Sequence, residues 1–476
     1  MNHFLNALKG LVNPSHCLIE EGEKAPYLMD WWGNRSANVL AVVFPASTAE
    51  VAAVVRLCHQ SEVAIVPQGG HTGLSGGALA IGSGRSIILN FSRMNAIREL
   101  DLLGQTMTLE AGCTLIEAQQ AASEAGRLFP LSLGSEGSCQ IGGNISTNAG
   151  GVAVLRYGMM RDLVLGLEIV LADGSVLNGL RKLRKDNTGC DLKQLFIGTE
   201  GTLGIVTAAV VKLFAKPDAV STAWVGIDSV EHAILLHAAM REKCGDRISS
   251  FELISRTQLD LVHRHQPQIN PPLNSPHDWV ILVELSDTGS QAMLNALLES
   301  ALEDAFDKAL IADAAVAANG AQAKTFWRLR HSVSDVNVKE GKSISHDISV
   351  PISRIPEFCK AVRHDLEGLM AAGIELIVGH VGDGNLHYIV LYSHDVWNGF
   401  DSGEQASKVV EVNNIVYDRA LSMGGSISAE HGIGLLHVEK LEAARTDSEV
   451  RLMRCLKNAL DPSNVLNPGK ILKTLN

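Results

Sequence analysis

The chain has 476 residues, of which 46% are hydrophobic and 19% charged, a composition that predicts a globular protein of two or three domains. Its net charge of −12 argues against a nucleic-acid partner, because nucleic-acid-binding surfaces are basic. The eight cysteines are scattered without a C-x-x-C pair, which favours reduced thiols in a cytoplasmic protein. Residues 1–21 lack the pattern of a secretory signal, and no run is long and apolar enough to predict a membrane span.

The first part of the chain, through residue 216, predicts a mixed α/β module. Apolar strands and amphipathic helices alternate along it, and Ser47 has the capping-box spacing with Glu50 that begins a helix. Strands are expected near 63–66 and 106–111, and a further strand follows the loop 198–207 and runs through Phe214. Helices begin near Ser47 and Thr114, and a hairpin over 163–177 turns at Asp173-Gly174.

Beyond Lys216-Pro217-Asp218 the pattern changes to strands that alternate with longer amphipathic helices. This pattern predicts an antiparallel sheet with helices on one face. Strands are expected near 222–227, 280–285, 345–350, 374–379 and 386–392, and helices near 229–243, 290–310, 355–372 and 404–423. The expected domains are therefore 1–216, 217–425 and a C-terminal segment 426–476.

Three glycine-rich loops interrupt the first module, at 67–77, 133–151 and 198–207. Glycine permits positive φ and close approach, so consecutive N–H groups can converge on phosphate oxygens. A pyrophosphate dinucleotide is the natural ligand of such loops, and ordinary tight turns are the alternative. The chain has no G-x-G-x-x-G, and Gly341-Lys342-Ser343 lacks the glycine that a P-loop needs five positions earlier. A nicotinamide cofactor in a Rossmann domain is therefore not expected.

The octapeptide 380–387 places two imidazoles on either side of a Gly-Asp-Gly-Asn turn. A turn of this kind can bring both rings to one point, and Glu430 and His431 follow downstream. His380, His387 and Glu430 could together hold one divalent ion that keeps open positions for a substrate. The alternative is a surface turn without a ligand.

Several segments resemble a known superfamily. Residues 67–73, 141–151, 156–158 and 201–207 resemble the FAD-binding segments of the vanillyl-alcohol-oxidase-type (PCMH-type) flavoproteins. Residues 185–189, 191–198, 380–387, 428–432 and 467–470 are similar to those of the D-2-hydroxyglutarate dehydrogenase, D-lactate dehydrogenase and glycolate oxidase branch. The resemblance implies an α+β fold, with a PCMH-type FAD-binding domain of two α+β subdomains, an antiparallel-sheet substrate domain and a helical C-terminal segment that returns to the flavin.

The resemblance implies that the chain binds FAD non-covalently. The first glycine loop would hold the pyrophosphate, the second would line the isoalloxazine and ribityl groups, and Ile205 and Val206 would contact the adenine side. Covalent attachment through His71 is the alternative, since distant relatives use a histidine in a similar context. The expected FAD-binding residues are Pro67, Gln68, Gly69, Gly70, His71, Thr72, Gly73, Leu74, Leu133, Gly134, Ser135, Cys139, Gly142, Gly143, Asn144, Asn148, Gly150, Gly151, Tyr157, Gly201, Ile205, Val206 and Asn467.

The resemblance also implies a reaction, the oxidation of a small D-2-hydroxy acid to a 2-oxo acid by hydride transfer to FAD. The substrate carboxylate and hydroxyl would chelate the ion, which is expected to be zinc, with manganese or iron as alternatives. His431 is the expected base for the hydroxyl proton, and Arg330 the expected partner of the substrate carboxylate.

Three further substrate-binding positions depart from the hydroxyglutarate-specific pattern of the branch. Ser345 stands where those enzymes have a lysine, Ile389 where they have an asparagine, and Ser334 where they have a threonine. The lysine and asparagine would bind the distal carboxylate of a dicarboxylic substrate. Their absence favours a monocarboxylic or more apolar substrate, unless Lys342 supplies the missing charge.

Two other functions stay open. The chain could be an oxidase that uses O₂ or a subunit of a glycolate-oxidising complex, or it could be a flavin-binding subunit without catalysis of its own. The intact set of histidines and Glu430 argues against the second. The expected electron acceptor is an electron-transferring flavoprotein, a quinone or a cytochrome, and a homodimer is the oligomer considered.

Overall fold

The structure is a computed structural model that describes residues 2–82, 84–370 and 372–473. Its internal contacts group the chain into two compact units. Unit 1 comprises Met1–Gly151, Gly158–Lys216 and Glu430–Asn476, and unit 2 comprises Val152–Tyr157 and Pro217–Ala429. The expected domains 1–216, 217–425 and 426–476 stay a prediction.

The strands and helices follow in chain order. The strands are β1 (Cys17–Leu18), β2 (Ala41–Val43), β3 (Ala64–Gln68), β4 (Ser86–Asn90), β5 (Ile97–Asp101), β6 (Thr106–Glu110), β7 (Arg127–Leu128), β8 (Val164–Val170), β9 (Val176–Gly179), β10 (Ile205–Lys212), β11 (Phe214–Ala215), β12 (Ala219–Ile227), β13 (Ile248–Ser255), β14 (Trp279–Asp287), β15 (Asp313–Val316), β16 (Gly341–Ser349), β17 (Ile374–His380) and β18 (Asn385–Ser393). The helices are α1 (Asn2–Leu11), α2 (Glu21–Lys24), α3 (Thr48–Ser61), α4 (Leu115–Glu124), α5 (Ile141–Ser146), α6 (Val154–Tyr157), α7 (Met160–Leu163), α8 (Val230–Cys244), α9 (Arg256–His265), α10 (Gln291–Asp307), α11 (Gly320–His331), α12 (Val333–Glu340), α13 (Ile355–Leu366), α14 (His394–Gly399), α15 (Ser402–Ser422), α16 (Val438–Ala444) and α17 (Asp447–Leu460).

Unit 1 contains two main sheets. The first has the order β1-β2-β4-β3, with parallel pairs between β2, β4 and β3. The second has the order β5-β6-β10-β8-β9, and all of its pairs are antiparallel. The C-terminal helices α16 and α17 belong to this unit, and Lys457 of α17 donates hydrogen bonds to the carbonyl oxygens of Thr202 and Leu466.

Local sequence signals account for the elements predicted in unit 1. Ser47 caps α3 by accepting a hydrogen bond from the Glu50 amide at 3.2 Å, and Thr114 begins α4 with a complete capping box. The predicted hairpin is confirmed as β8 and β9, and Gly174 at its turn has φ of +80°, a conformation that favours glycine.

Unit 2 is built on one antiparallel sheet with the order β15-β12-β14-β13-β17-β18-β16. The expectation that helices cover only one face is wrong. Helices α9, α11 and α12 pack on one face through an apolar cluster that includes Leu282 and Ile389. On the other face, Phe251 contacts His237 of α8, and Tyr388 contacts Phe358 of α13. Both faces of the central strands are apolar, so each face requires a covering layer.

The α+β class predicted from the sequence is confirmed by these three sheets and their helices. All eight cysteines are free thiols, as their scatter along the sequence predicts. Within the described ranges, no helix is both long and apolar enough to cross a membrane.

Candidate active site

The two histidines of the octapeptide meet on one face of the unit 2 sheet. β17 ends at His380 and β18 begins at Asn385, so the Gly-Asp-Gly-Asn segment closes a β-hairpin. The register pairs His380 with Asn385 and Val378 with His387. Because paired residues share a face and alternate residues return to it, both imidazoles point the same way. Their ring centroids lie 5.5 Å apart.

This face, which we call the site face, carries a buried carboxylate that sequence analysis missed. Glu252 of β13 pairs in register with His380. Its Oε1 lies 2.7 Å from Nδ1 of His380, and its Oε2 accepts a hydrogen bond of 2.9 Å from Nε of Arg330. Burial alone would raise the pKa of Glu252, but its contacts with His380 and Arg330 lower the pKa well below its usual range. Glu252 is therefore ionised at neutral pH.

Arg330 lies in the last turn of α11, and a second, partly buried carboxylate also contacts this helix. Trp327, one helical turn earlier, donates from Nε1 to Oε2 of Glu284 at 2.7 Å. The hydrogen bond described for Arg330 uses Nε, so the planar fork of its Nη groups can still bind an anion. The structure thus places Arg330 beside His380 through their shared partner Glu252.

Asp347 of β16 is a second carboxylate on the site face that sequence analysis missed. It pairs in register with His387, and its Oδ1 accepts a hydrogen bond of 2.9 Å from Nδ2 of Asn385. Its Oδ2 accepts a hydrogen bond of 3.1 Å from the Ala429 amide. Asp347 therefore holds the last residue of unit 2, which directly precedes Glu430 in the chain.

The expected substrate-binding residues of unit 2 differ in their location and in their exposure. Ser345 pairs in register with Ile389, so the two side chains lie on the site face, where Ser345 is exposed and Ile389 is buried. Ser334 is exposed on α12. Lys342 pairs with Tyr392, and strand alternation directs both of these side chains to the opposite face. The alternative that Lys342 replaces the missing lysine is therefore wrong for this strand register.

Of the expected FAD-binding residues, all except Tyr157 lie in unit 1, and Tyr157 lies in unit 2. Some of the glycines are required by the chain itself. A Cβ atom at Gly70 would lie 1.8 Å from the carbonyl oxygen of Ser138, and one at Gly151 would lie 2.0 Å from that of Ser132. These glycines let two loop segments touch through their backbones.

Other glycines have no such packing role. Among the described residues, and apart from the adjoining chain itself, no protein atom lies within 4 Å of a Cβ built at Gly73, Gly134 or Gly143. His71, two residues before Gly73, has φ of +57°, and its buried Nε2 has no hydrogen-bond partner among the described residues. Burial also lowers the pKa of His71. Open glycines beside a buried polar atom without a protein partner fit a polar cofactor such as FAD.

Several other expected FAD-binding residues make structural contacts. The side chain of Gln68 donates to the Tyr27 carbonyl oxygen at 3.0 Å, and Ile205 and Val206 are buried in β10. Asn467 donates from Nδ2 to the carbonyl oxygens of Gly77 and Glu200 at 3.0 and 2.7 Å.

The Glu430-His431 segment is held in unit 1 by two residues that sequence analysis missed. Ser75 donates from Oγ to the carbonyl oxygens of His431 and Gly432, both at 3.0 Å. The buried carboxylate of Glu200 accepts hydrogen bonds of 2.8 Å from the amides of Ile433 and Gly434, and burial raises its pKa. The Gly151 amide also donates to Oε1 of Glu430.

The predicted ion ligands are divided between the units, since His380 and His387 belong to unit 2 and Glu430 begins the last segment of unit 1. Imidazole nitrogens and a carboxylate are the donor types that divalent transition metals accept. A carboxylate that binds the second nitrogen of a ligating histidine is a frequent companion of such sites, and Glu252 stands in that relation to His380. The residues of the set therefore fit a divalent ion.

Comparison with known proteins agrees with the fold and the residues described. Residues 39–179 match the family described as FAD binding domain, and residues 216–471 match FAD linked oxidases, C-terminal domain. A probable mitochondrial D-2-hydroxyglutarate dehydrogenase of Oryza sativa subsp. indica is 37% identical over 98% of this chain and 80% of its own length. The mitochondrial D-2-hydroxyglutarate dehydrogenase of Danio rerio is 38% identical over 93% and 80%. A crystal structure of p-cresol methylhydroxylase with substrate bound shares the fold, with a TM-score of 0.77 at 17% identity over 99% of this chain and 97% of that one.

The two family matches define the class, a flavoprotein oxidoreductase that binds FAD and acts on a CH–OH group. The chain belongs to the FAD-linked oxidases, in the branch that contains the D-2-hydroxyglutarate dehydrogenases.

Proposed function

We propose that this enzyme oxidises a D-2-hydroxy acid to the 2-oxo acid, with a divalent ion held by His380, His387 and Glu430. One observation carries the proposal. Two imidazoles 5.5 Å apart and a guanidinium share the site face, and Glu252 links His380 to Arg330. A site of this composition can bind an ion and a carboxylate side by side, as a 2-hydroxy acid requires. The relatives named as D-2-hydroxyglutarate dehydrogenases support the same class of substrate.

Each proposed catalytic residue has its own role in the reaction. Arg330 binds the substrate carboxylate through its Nη groups, which orients the C2–H bond. His431 accepts the hydroxyl proton on its imidazole, because it directly follows the proposed ion ligand Glu430 in the chain. When bound, FAD supplies the hydride acceptor and the divalent ion, proposed as zinc with manganese or iron as alternatives, supplies a Lewis acid. The FAD is proposed to be non-covalent, so denaturation should release the yellow colour from the protein.

The substrate is proposed to carry a short monocarboxylic or apolar tail. Ile389 is buried on the site face next to Ser345, and Lys342 lies on the opposite face. Ile389 therefore offers apolar surface, rather than the hydrogen-bond donor of an asparagine, to a distal carboxylate, whose burial without a partner would be costly. D-2-hydroxyglutarate, the substrate named for the relatives, is the alternative.

Anaerobic reduction of the bound flavin tests both the class and the tail. We expect D-lactate and D-2-hydroxybutyrate to bleach the flavin with a higher kcat/KM than D-2-hydroxyglutarate. The double variant Ser345→Lys, Ile389→Asn should raise the relative kcat/KM for D-2-hydroxyglutarate by at least about tenfold, because it supplies a cation and a hydrogen-bond donor. A wild-type preference for D-2-hydroxyglutarate would refute the proposed tail, and a flavin that no D-2-hydroxy acid reduces would refute the proposed class.

The remaining alternatives have separate tests. Release of peroxide at a rate equal to turnover would favour an oxidase. Unchanged turnover in both His431→Ala and Glu430→Ala would refute the proposed base and ion site, and no turnover in the wild type would favour a non-catalytic flavin subunit. An electron-transferring flavoprotein, a quinone or a cytochrome is proposed as acceptor, and the homodimer and the cytoplasmic location stay predictions.

A further inference from the structure

A single buried carboxylate joins the proposed ion ligand His380 to the proposed substrate-binding residue Arg330. The Glu252 side chain is 1% exposed, and those of His380 and Arg330 are 7% and 11% exposed. The three residues come from β17, β13 and α11, so residues far apart in the sequence converge on one carboxylate. Each of its oxygens has its own partner, with Oε1 at His380 and Oε2 at Arg330.

The contact with His380 determines which ring nitrogen can bind an ion. A neutral imidazole carries its hydrogen on one nitrogen and a lone pair on the other. Because Nδ1 lies 2.7 Å from a carboxylate oxygen that can only accept, the hydrogen belongs on Nδ1, and ion ligation at His380 would use Nε2. The same contact limits rotation of the ring.

The contact with Arg330 determines the plane of its guanidinium. Nε donates to Oε2 of Glu252 at 2.9 Å, and a guanidinium is planar, so this bond also orients both Nη groups. A guanidinium held in one plane binds a carboxylate through two parallel hydrogen bonds with less loss of side-chain entropy.

We propose that Glu252 is a positioning residue for both parts of the substrate site, because it sets the His380 tautomer for the ion and the Arg330 plane for the substrate carboxylate. The inference rests on the proposed function, which assigns His380 to the ion and Arg330 to the substrate. One substitution at Glu252 should therefore weaken the binding of two chemically different ligands.

The same sheet provides a matched control. Glu284 of β14 is a partly buried glutamate, and its Oε2 accepts hydrogen bonds from Trp327 at 2.7 Å and from Thr222 at 3.0 Å. Trp327 belongs to the same helix as Arg330. The hydrogen bonds of Glu284 with Trp327 and Thr222 involve neither His380 nor Arg330, so Glu284→Gln reports the general effect of removing a carboxylate under α11.

Glu252→Gln is the decisive variant, because an amide has one acceptor and one donor group. If its oxygen faces His380, its NH₂ group opposes Nε–H of Arg330. If its NH₂ group faces His380, the imidazole must accept at Nδ1 and carry its hydrogen on Nε2, where it obstructs ion ligation. Either orientation of the amide weakens ion ligation by His380 or carboxylate binding by Arg330. Exchange between the two orientations weakens both.

The test uses the flavin-loaded protein and two probes. Zinc affinity is measured by competition with a chromophoric chelator. Pyruvate affinity is measured by perturbation of the flavin absorption band in zinc-free protein, so that it reports on carboxylate binding by Arg330 without the ion. In Glu252→Gln we expect the zinc dissociation constant to rise about 10- to 100-fold and the pyruvate constant about tenfold or more. Glu284→Gln should keep both constants at wild-type values, and His380→Ala should lose zinc.

The outcomes separate the inference from the proposed function. Wild-type zinc and pyruvate constants in Glu252→Gln, with zinc lost in His380→Ala, would overturn the inference and leave the proposed ion site intact. Wild-type zinc affinity in His380→Ala would refute the ion site itself. Equal losses in Glu252→Gln and Glu284→Gln would overturn the inference by showing a general effect. If Glu252→Gln does not fold, Glu252→Asp is measured instead, since it keeps the charge but is too short to reach both partners.

Discussion

The two units place their polar groups by different physical means. In unit 1, several loop glycines have open space where a side chain would be, and His71 adopts a left-handed backbone conformation, so the backbone of the loops is accessible to a ligand. In unit 2, the register of an antiparallel sheet aligns side chains, and buried carboxylates fix them, with Glu252 binding an imidazole and a guanidinium and Asp347 a backbone amide. A site built from backbone should be sensitive to an added Cβ atom, and a site built from side chains to the loss of one oxygen.

The largest expected effect is on the glycines of unit 1. Gly70→Ala places a Cβ atom 1.8 Å from the Ser138 carbonyl oxygen, so two loop backbones must separate and we expect loss of soluble, FAD-containing protein. Gly73→Ala meets no described protein atom within 4 Å, so the protein should fold with a normal melting temperature and bind FAD more weakly. Melting curves and FAD titration of the apoprotein measure both. Tight FAD binding in Gly73→Ala would show that this position does not face the cofactor.

The glycine loops and the histidine pair could be predicted because their signals are local. Glycine at 69, 70 and 73 marks a conformation of the backbone itself, and the Gly-Asp-Gly-Asn segment between His380 and His387 marks a turn. Each signal lies within about ten residues, so it can be recognised without knowledge of the tertiary fold.

The carboxylates of the site face could not be predicted because their partners are distant. Glu252 lies 128 residues from His380 and 78 from Arg330, and its strand reads as an ordinary mixture of polar and apolar residues. Only the order β13-β17-β18-β16 brings Glu252 and Asp347 onto the face of the two histidines. The error of expecting helices on one face has the same origin, since α9 has few apolar residues and its role is evident only in the packed cluster.

A smaller effect is expected from Asp347→Asn in unit 2. Asp347 uses one oxygen for Asn385 and the other for the Ala429 amide. Asparagine has one acceptor, so its NH₂ group must face one of these donors, at a cost of about 1–3 kcal/mol. We expect a lower melting temperature and a lower kcat, because the segment before Glu430 is less well fixed. The exposed Asp335→Asn on α12 is the control, and equal behaviour of the two variants would contradict the assigned role of Asp347.

The smallest expected effect is the most specific test of the sheet register. Lys342 is the lysine nearest in sequence to Ser345, so its position in the sequence alone would allow the prediction that it binds a distal carboxylate. Its pairing with Tyr392 places it on the face opposite to Ile389, so Lys342→Ala should leave KM within about twofold for monocarboxylic and dicarboxylic substrates alike. Ser345→Lys, three positions along the same strand, should lower KM for D-2-hydroxyglutarate. If Lys342→Ala instead raised KM for the dicarboxylate selectively, the side chain would have to reach the site face, and the register that aligns His380, His387 and Asp347 would be wrong as well.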